Sequence, residues 1–285
     1  MLELHCHTTY SDGTLTPTEL VAAALARGVR ALAITDHDTI GGWDEAYAAA
    51  AGTDLEIIPG LELSTVKNGR SLHILGFYPD PERLKPVLAE RLAGRQRRAQ
   101  EMAEKLAALG YPIELPTLGP AMAPGRPHLA AALVKAGHVR SPEEAFDRFL
   151  GDDRPACVSY EPLSSEEGVA LLRQSGAVPV WAHPYLFRGG GLELTLRNLV
   201  EAGLLGIEVY HPHHSFQQVA TLESLSQQYK LLKTGGSDYH GPQANAKPDD
   251  WGLLNLLRVP LDLLTPLKDT AQTLRQEGLS GAIAQ

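Results

Sequence analysis

The chain has 285 residues, 44% of them hydrophobic and 21% charged, with two cysteines and a formal net charge of −9. This is the balance of a soluble globular enzyme, and the acidic charge gives no support to a role on duplex DNA, whose binders carry a basic footprint. No uncharged apolar run reaches the roughly 18 residues of a membrane span, Met1-Leu2-Glu3-Leu4-His5 lacks the basic and apolar regions of a signal peptide, and Cys6 and Cys157 have no partners at metal or redox spacing. A cytoplasmic location without membrane or disulfide framework is expected.

Leu2 to His7 has the pattern of a strand, followed by a helix start in Thr16-Pro17-Thr18-Glu19, with Thr16 as N-cap, Pro17 in the first turn and Glu19 closing a capping box. That helix ends at Gly28. Arg30 to Thr35 is a short buried strand leading into Asp36-His37-Asp38, and a second helix runs to about Ala51. Glu56 to Gly60 leads to Glu62, and Ser71 to Phe77 is a strand carrying His73. From about Pro79 to Pro155 the pattern becomes helical and polar. Arg91 to Leu109 is a long amphipathic helix, and the Pro/Gly-rich loop Leu115 to Pro127 separates it from a second helical stretch, His128 to Leu150. Strand patterns resume at Val178 to His183, Gly206 to His211 and Leu231 to Thr234 before Gly235-Gly236-Ser237-Asp238, and the tail beyond Thr265 is helical.

Strands alternating with helices indicate a parallel α/β sheet or barrel, in which chemistry sits where strands end. The strand ends here carry His5/His7, Asp36/His37, Glu62, His73, His183, His211 and Asp238/His240. His5 and His7 share one face of a strand by its two-residue period, which turns Cys6 the other way as a small core residue. Asp12, in Tyr10-Ser11-Asp12-Gly13, on its own fits simple turn chemistry. Histidines at successive strand ends, interleaved with acids, are hard to explain by packing, because buried ionisable groups need partners.

This set, His5-Cys6-His7, Asp12-Gly13, Thr35-Asp36-His37-Asp38, Glu62, His73, His183-Pro184 and Ser237-Asp238-Tyr239-His240, resembles the PHP (polymerase and histidinol phosphatase) family over nearly the whole chain. The resemblance implies a distorted seven-stranded (β/α) barrel formed by 1–78 and 156–285, with 79–155 as a helical cap. It also implies three divalent metal ions: one on His5, His7, Glu62 and Asp238, a second sharing Glu62 with His73 and His183, and a third on Asp12, His37 and His240. A histidine and carboxylate shell suits Mn, with Fe or Zn as alternatives, better than Mg or Ca. Six cationic charges against three carboxylates would make a positive site that attracts a phosphate dianion. Asp36, beside a ligand, is expected to orient a histidine, and His211 is a candidate substrate contact or general acid. His213 and His214 are expected at the surface.

The cap strings Gly125-Arg126-Pro127-His128 and Glu144 to Gly151, with Gly206 to Pro212, are similar to the stand-alone bacterial branch that acts on 3′,5′-nucleoside bisphosphates and on 5′ ends of short RNA. The resemblance implies that Arg126 and His128, at a helix start suited to anions, touch the substrate, with Arg188 as a further candidate. Arg91, Arg95 and Arg98 share a helix face, expected to be solvated rather than an RNA track. The expected reaction is metal-dependent removal of the 3′-phosphate to leave a 5′-mononucleotide. The alternatives are a histidinol-phosphate or other small phosphomonoester phosphatase, an amidohydrolase, whose usual bridging lysine is replaced here by Glu62, and a non-catalytic metal-binding or polymerase-associated module.

Overall fold

A computed structural model describes residues 1–119, 122–158, 162–242 and 252–283. The chain forms two compact units, Met1–Lys85 with Pro162–Gln285, and Pro86–Glu161, where the sequence pattern suggested boundaries near 79 and 155.

In the first unit the elements run β1 (Leu2–Glu3), α1 (Pro17–Ala26), β2 (Ala31–Ile34), α2 (Trp43–Ala50), β3 (Glu56–Lys67) and β4 (Arg70–Phe77). The chain then enters α3 (Pro81–Ala108), and in the second unit continues with α4 (Arg126–Lys135), α5 (Pro142–Ala145) and a π-helical turn over Phe146–Leu150. The first unit resumes with α6 (Ser165–Gln174), β5 (Val178–Trp181), α7 (Leu192–Glu201), β6 (Gly206–Tyr210), α8 (Phe216–Gln228), β7 (Leu232–Gly235) and α9 (Leu264–Ile283). No helix among the described residues is long and apolar enough to cross a membrane.

The capping box of α1 forms as expected: the Thr16 hydroxyl accepts from Glu19 N at 3.2 Å, and Thr16 N donates to the Glu19 carboxylate at 2.8 Å. The seven strands make one sheet in chain order. Hydrogen bonds from Leu4 N to Gly235 O (3.2 Å), His7 N to Tyr239 O (2.8 Å) and Tyr239 N to His5 O (3.2 Å) join the end of β7 back to β1 and draw the sheet into a distorted barrel.

The sheet is not all parallel. β4 runs antiparallel to both β3 and β5, while the other neighbours are parallel. The cause is local: Lys67 pairs with Arg70 across Asn68 and Gly69, whose φ angles are 51° and 72°. Two central residues at positive φ make the tight turn whose twist suits a hairpin, and Asn-Gly is its preferred sequence.

Period two then sorts the barrel. Ala31 and Ala33, Ile58, Leu75 and Phe77, and Val178 and Val180 pack with Leu2, Leu4, Val259 and the α9 residues Leu264, Leu267 and Ala271 in one apolar cluster. Continuing at the same parity, β3 delivers Glu62 and β4 delivers His73. The strand ladder of β1 ends at Glu3, so the chain neighbours Leu4 and His5 serve core and site respectively. The second unit has its own core: Ala99, Met102 and Leu106 of α3, at helical spacing, pack on Leu129 and Leu133 of α4 and on Phe149 and Leu150.

Candidate metal centre

Glu62 lies at the middle of the site and in the middle of the longest strand, with backbone pairing on both sides: it faces Leu75 of β4 and bridges His37. Its side chain is 1% exposed. Oε2 lies 3.3 Å from His5 Nε2, 3.2 Å from His7 Nε2 and 3.2 Å from His37 Nδ1. Oε1 lies 2.9 Å from His73 Nδ1 and 3.0 Å from His183 Nε2. Asp238 Oδ1 stands 3.3 Å from His5 Nε2 and 3.1 Å from His7 Nε2. Asp12 completes the arc, 3.5 Å from His7 Nδ1, 3.3 Å from His240 Nε2 and 3.7 Å from His37 Nε2.

Among the described residues, three groups have donor atoms close enough to share an ion: His5, His7, Glu62 and Asp238; His7, Asp12, His37 and His240; and His37, Glu62 and His73. Eight of the nine expected ligands fall in these groups, and the ninth, His183, joins them through Glu62. Three residues sit differently from the division that the sequence suggested. His7 and His37 each face two groups, and His183 reaches the cluster through Glu62 Oε1.

The electrostatics fit cations. His5 Nε2, both ring nitrogens of His7, and His37 Nδ1 are buried without a hydrogen-bond partner among the described residues. Such atoms are costly unless something satisfies them. Burial pushes the Glu62 carboxyl up, but His73, His5 and His37 outweigh it and hold the group well below the usual carboxylate range. Burial pushes His5 down, but Glu208, Glu62 and Asp238 carry it well above the usual imidazole value. Against the same penalty, Asp238 and Glu62 bring His7 to about 9. In His37 burial wins and the shift is downward. The negative field at His5 and His7 favours positive charge there, whether carried by protons or by a bound cation.

The backbone is bent to serve the cluster. His183, Asp238 and Asp38 adopt φ of 30°, 51° and 53°, a region costing non-glycine residues on the order of 1–3 kcal/mol each. Gly236 permits a close approach: a Cβ there would lie 2.4 Å from His5 N and 2.5 Å from His5 Cβ.

The PHP domain family's sequence pattern matches residues 3–115. A 5′-3′ exoribonuclease of Haemophilus influenzae is 36% identical over 84% of this chain and 90% of its own length. The chain belongs to the PHP family. A second PHP relative, the 3′,5′-nucleoside bisphosphate phosphatase of Chromobacterium violaceum, is 34% identical over 85% of this chain and 87% of its own. The crystal structure described as a metal-dependent phosphoesterase of Bifidobacterium adolescentis superposes with a TM-score of 0.71 at 33% identity, covering 94% of this chain and 96% of its own.

Several residues outside this PHP cluster are placed differently from their sequence expectation. Asp36 orients no histidine among the described residues: its oxygens accept from Thr8 N, Thr8 Oγ1 and Ser11 Oγ, each at 2.7 Å, and so shape the loop that leads to Asp12. His211 is 1% exposed, with Nε2 3.7 Å from Asp238 Oδ2 and its ring 5.6 Å from that of His183. His213 is exposed, but His214 is buried, because its Nδ1 is hydrogen-bonded to Val209 O at 2.9 Å. Arg188 is exposed, with its guanidinium turned onto the carbonyls of Tyr185 and Phe187 in its own loop. Arg126 and His128 belong to the second unit. There Arg126 pairs with Asp152 at 2.8 Å, and His128 Nδ1 accepts from Gly125 N at 3.2 Å at the start of α4. Arg91, Arg95 and Arg98 are half-buried rather than solvated, and Arg98 Nε donates to Val158 O at 2.9 Å.

Sequence reasoning missed Glu208 and Glu3. Glu208 is fully buried on β6, accepting at 3.0 Å from the His5 ring and at 2.7 Å from His183 N. Glu3 is 2% exposed and accepts from Ser237 N (2.6 Å) and Asn255 N (2.9 Å), tying β1 to the loop that bears Asp238. Burial lifts its carboxyl to about 7, even against those hydrogen bonds. The signal in the chain was slight: each acid alternates with apolar neighbours, a pattern that a strand with one solvent-facing side also gives.

Proposed function

We propose that the protein hydrolyses the 3′-phosphate of 3′,5′-bisphosphonucleosides to 5′-mononucleotides, with three divalent ions, Mn foremost, in the His/carboxylate cluster. The observation that carries the reading is the convergence of five imidazole nitrogens on the two oxygens of Glu62, with neighbouring buried lone pairs left without partners. Divalent ions held by the histidines, Glu62, Asp12 and Asp238 would supply Lewis acidity toward the phosphoryl oxygens and acidify water for attack. The names of the Haemophilus and Chromobacterium relatives favour a nucleotide or an RNA end as the substrate.

The residues of the chain divide the rest of the work. Glu62 and Asp238 hold the imidazoles in place and balance charge. His211 is assigned to the leaving 3′-oxygen as a hydrogen-bond donor: its Nδ1 accepts from His213 N at 3.2 Å, which leaves the ring proton on Nε2, beside Asp238, and the proton that the leaving oxygen takes up comes from water, since a neutral ring cannot give up its only N–H. A monoester needs one anion site and a bisphosphate needs two. On the sequence likeness, Arg126 with His128 is assigned to the second phosphate, and Arg126 would exchange Asp152 for it.

The test is phosphate release with Mn from a 3′,5′-bisphosphonucleoside, histidinol phosphate, p-nitrophenyl phosphate and a 5′-phosphorylated oligoribonucleotide, in wild type and Arg126→Ala. The bisphosphate is expected to show the highest kcat/KM. The variant should lose about ten- to hundredfold on it, the worth of one charge-assisted hydrogen bond, and less on p-nitrophenyl phosphate. Equal losses on both would remove Arg126 from substrate binding. A preference for histidinol phosphate would overturn the substrate, and a preference for the oligoribonucleotide would make exonuclease action the main activity.

A further inference from the structure

We infer that Glu208 is a positioning residue that couples the parts of the metal centre, holding one ligand by its ring and another by its backbone. The inference rests on reading the cluster as a metal centre. Glu208 lies between Ile207 and Val209 in β6 with no exposed surface. A carboxylate so placed costs several kcal/mol unless its charge and lone pairs are satisfied, and an apolar side chain would serve packing better. Both oxygens are in use. Oε1 lies 3.0 Å from His5 Nδ1, and Oε2 accepts from His183 N at 2.7 Å.

The first contact sets a tautomer. A carboxylate only accepts, so His5 carries its proton on Nδ1 and turns the Nε2 lone pair to the space it shares with Glu62 and Asp238, each 3.3 Å away. The other tautomer would put a proton into that space and close it to a cation. The second contact holds a strained backbone: His183 sits at φ 30°, just beyond β5, and from there its Nε2 reaches Glu62 Oε1 at 3.0 Å. His5 and His183 lie far apart in the sequence and approach different oxygens of Glu62. One side chain on β6 therefore sets the geometry on both sides of the bridging carboxylate.

The informative variant is Glu208→Gln. It is isosteric and has one acceptor instead of two. His183 N can only donate, so the amide oxygen is expected to stay there and the NH2 to face His5 Nδ1, which forces the His5 proton onto Nε2. Mn binding should weaken by roughly 10–100-fold, the usual effect of losing a group that orients a ligand. In the metal-stripped protein, at a pH high enough for His5 to be neutral, the histidine 15N shifts should show its proton on Nδ1 in wild type and on Nε2 in Glu208→Gln. Glu208→Asp keeps the charge but is one methylene too short to span both partners, so it should also bind Mn more weakly than wild type. It serves as the second measure if the Gln variant does not fold. Wild-type Mn affinity in either folded variant, or an unchanged His5 tautomer in Glu208→Gln, would overturn the inference. A wild type that takes up no divalent ion would instead overturn the metal reading beneath it.

Discussion

Replacing Glu62 by glutamine preserves its shape and removes one negative charge from the middle of five imidazole nitrogens between 2.9 and 3.3 Å away. At 3.2 Å and an effective dielectric of about 20, a unit charge pair interacts by about 5 kcal/mol. Part of this is offset, because a neutral amide costs less to bury than a carboxylate. Breaking one partner of a buried charged pair has a net cost of about 3–5 kcal/mol, or roughly two to nearly four orders of magnitude in binding. The amide nitrogen must also face one set of ring nitrogens, leaving the other set on its oxygen. Glu62→Gln is therefore expected to lose Mn affinity by at least about a hundredfold and to lose turnover by a comparable factor at fixed metal. Far-ultraviolet circular dichroism should be unchanged, since the backbone pairing of β3 does not depend on this side chain. The assay is calorimetric Mn titration alongside phosphate release. A folded variant with wild-type Mn affinity and turnover within tenfold would show that Glu62 bridges nothing.

Two further outcomes follow from the geometry. Gly236→Ala should destabilise the protein by about 1–3 kcal/mol and impair metal uptake, because the new Cβ would press on the His5 backbone at 2.4 Å and displace the Asp238 loop; an unchanged melting temperature and metal content would contradict the close packing. In metal-stripped protein, His7 is raised from 6.5 to about 9, so its contribution is complete below about 6.5 and disappears as the pH rises through about 9, with a magnitude of about 3 kcal/mol. His5, His73 and His240 shift in the same direction. Thermal midpoints of stripped protein should therefore fall between pH 6.5 and 9.5, while Mn affinity rises over the same range because binding must displace those protons. Midpoints that climb with pH in stripped protein would refute the assignment.

Much of the centre was legible without coordinates, because its rules are local. An extended chain alternates its side chains, so His5-x-His7 implies two imidazoles on one side, and both rings do reach Glu62 although the ladder of β1 stops at Glu3. A Thr-Pro-Thr-Glu start caps a helix from its own four residues, and α1 begins as that pattern requires. The regular appearance of histidines and acids at strand ends marked His37, Glu62, His73, His183, Asp238 and His240 as one candidate site, and Asp12, which alone fits turn chemistry, joined it only through the family resemblance.

Other features were decided only when distant segments met. The hairpin signal Asn68-Gly69 was present, but an alternation of strands and helices suggested a parallel sheet, and the local turn prevailed. Asp36 faces Thr8 and Ser11 rather than a histidine, and His214 is buried on Val209, because loop conformation rather than sequence adjacency sets a side chain's partners. Glu208 shows the limit most clearly. Its neighbours in the chain are apolar, and its partners are His5 and His183, brought to it by barrel closure at one side and by the β5–β6 pairing at the other. Period and capping act within a few residues of backbone, so sequence determines them. Which atom stands 3 Å from a buried carboxylate depends on register between strands far apart in the chain, and a one-residue slip would turn the side chain to the other face of the sheet.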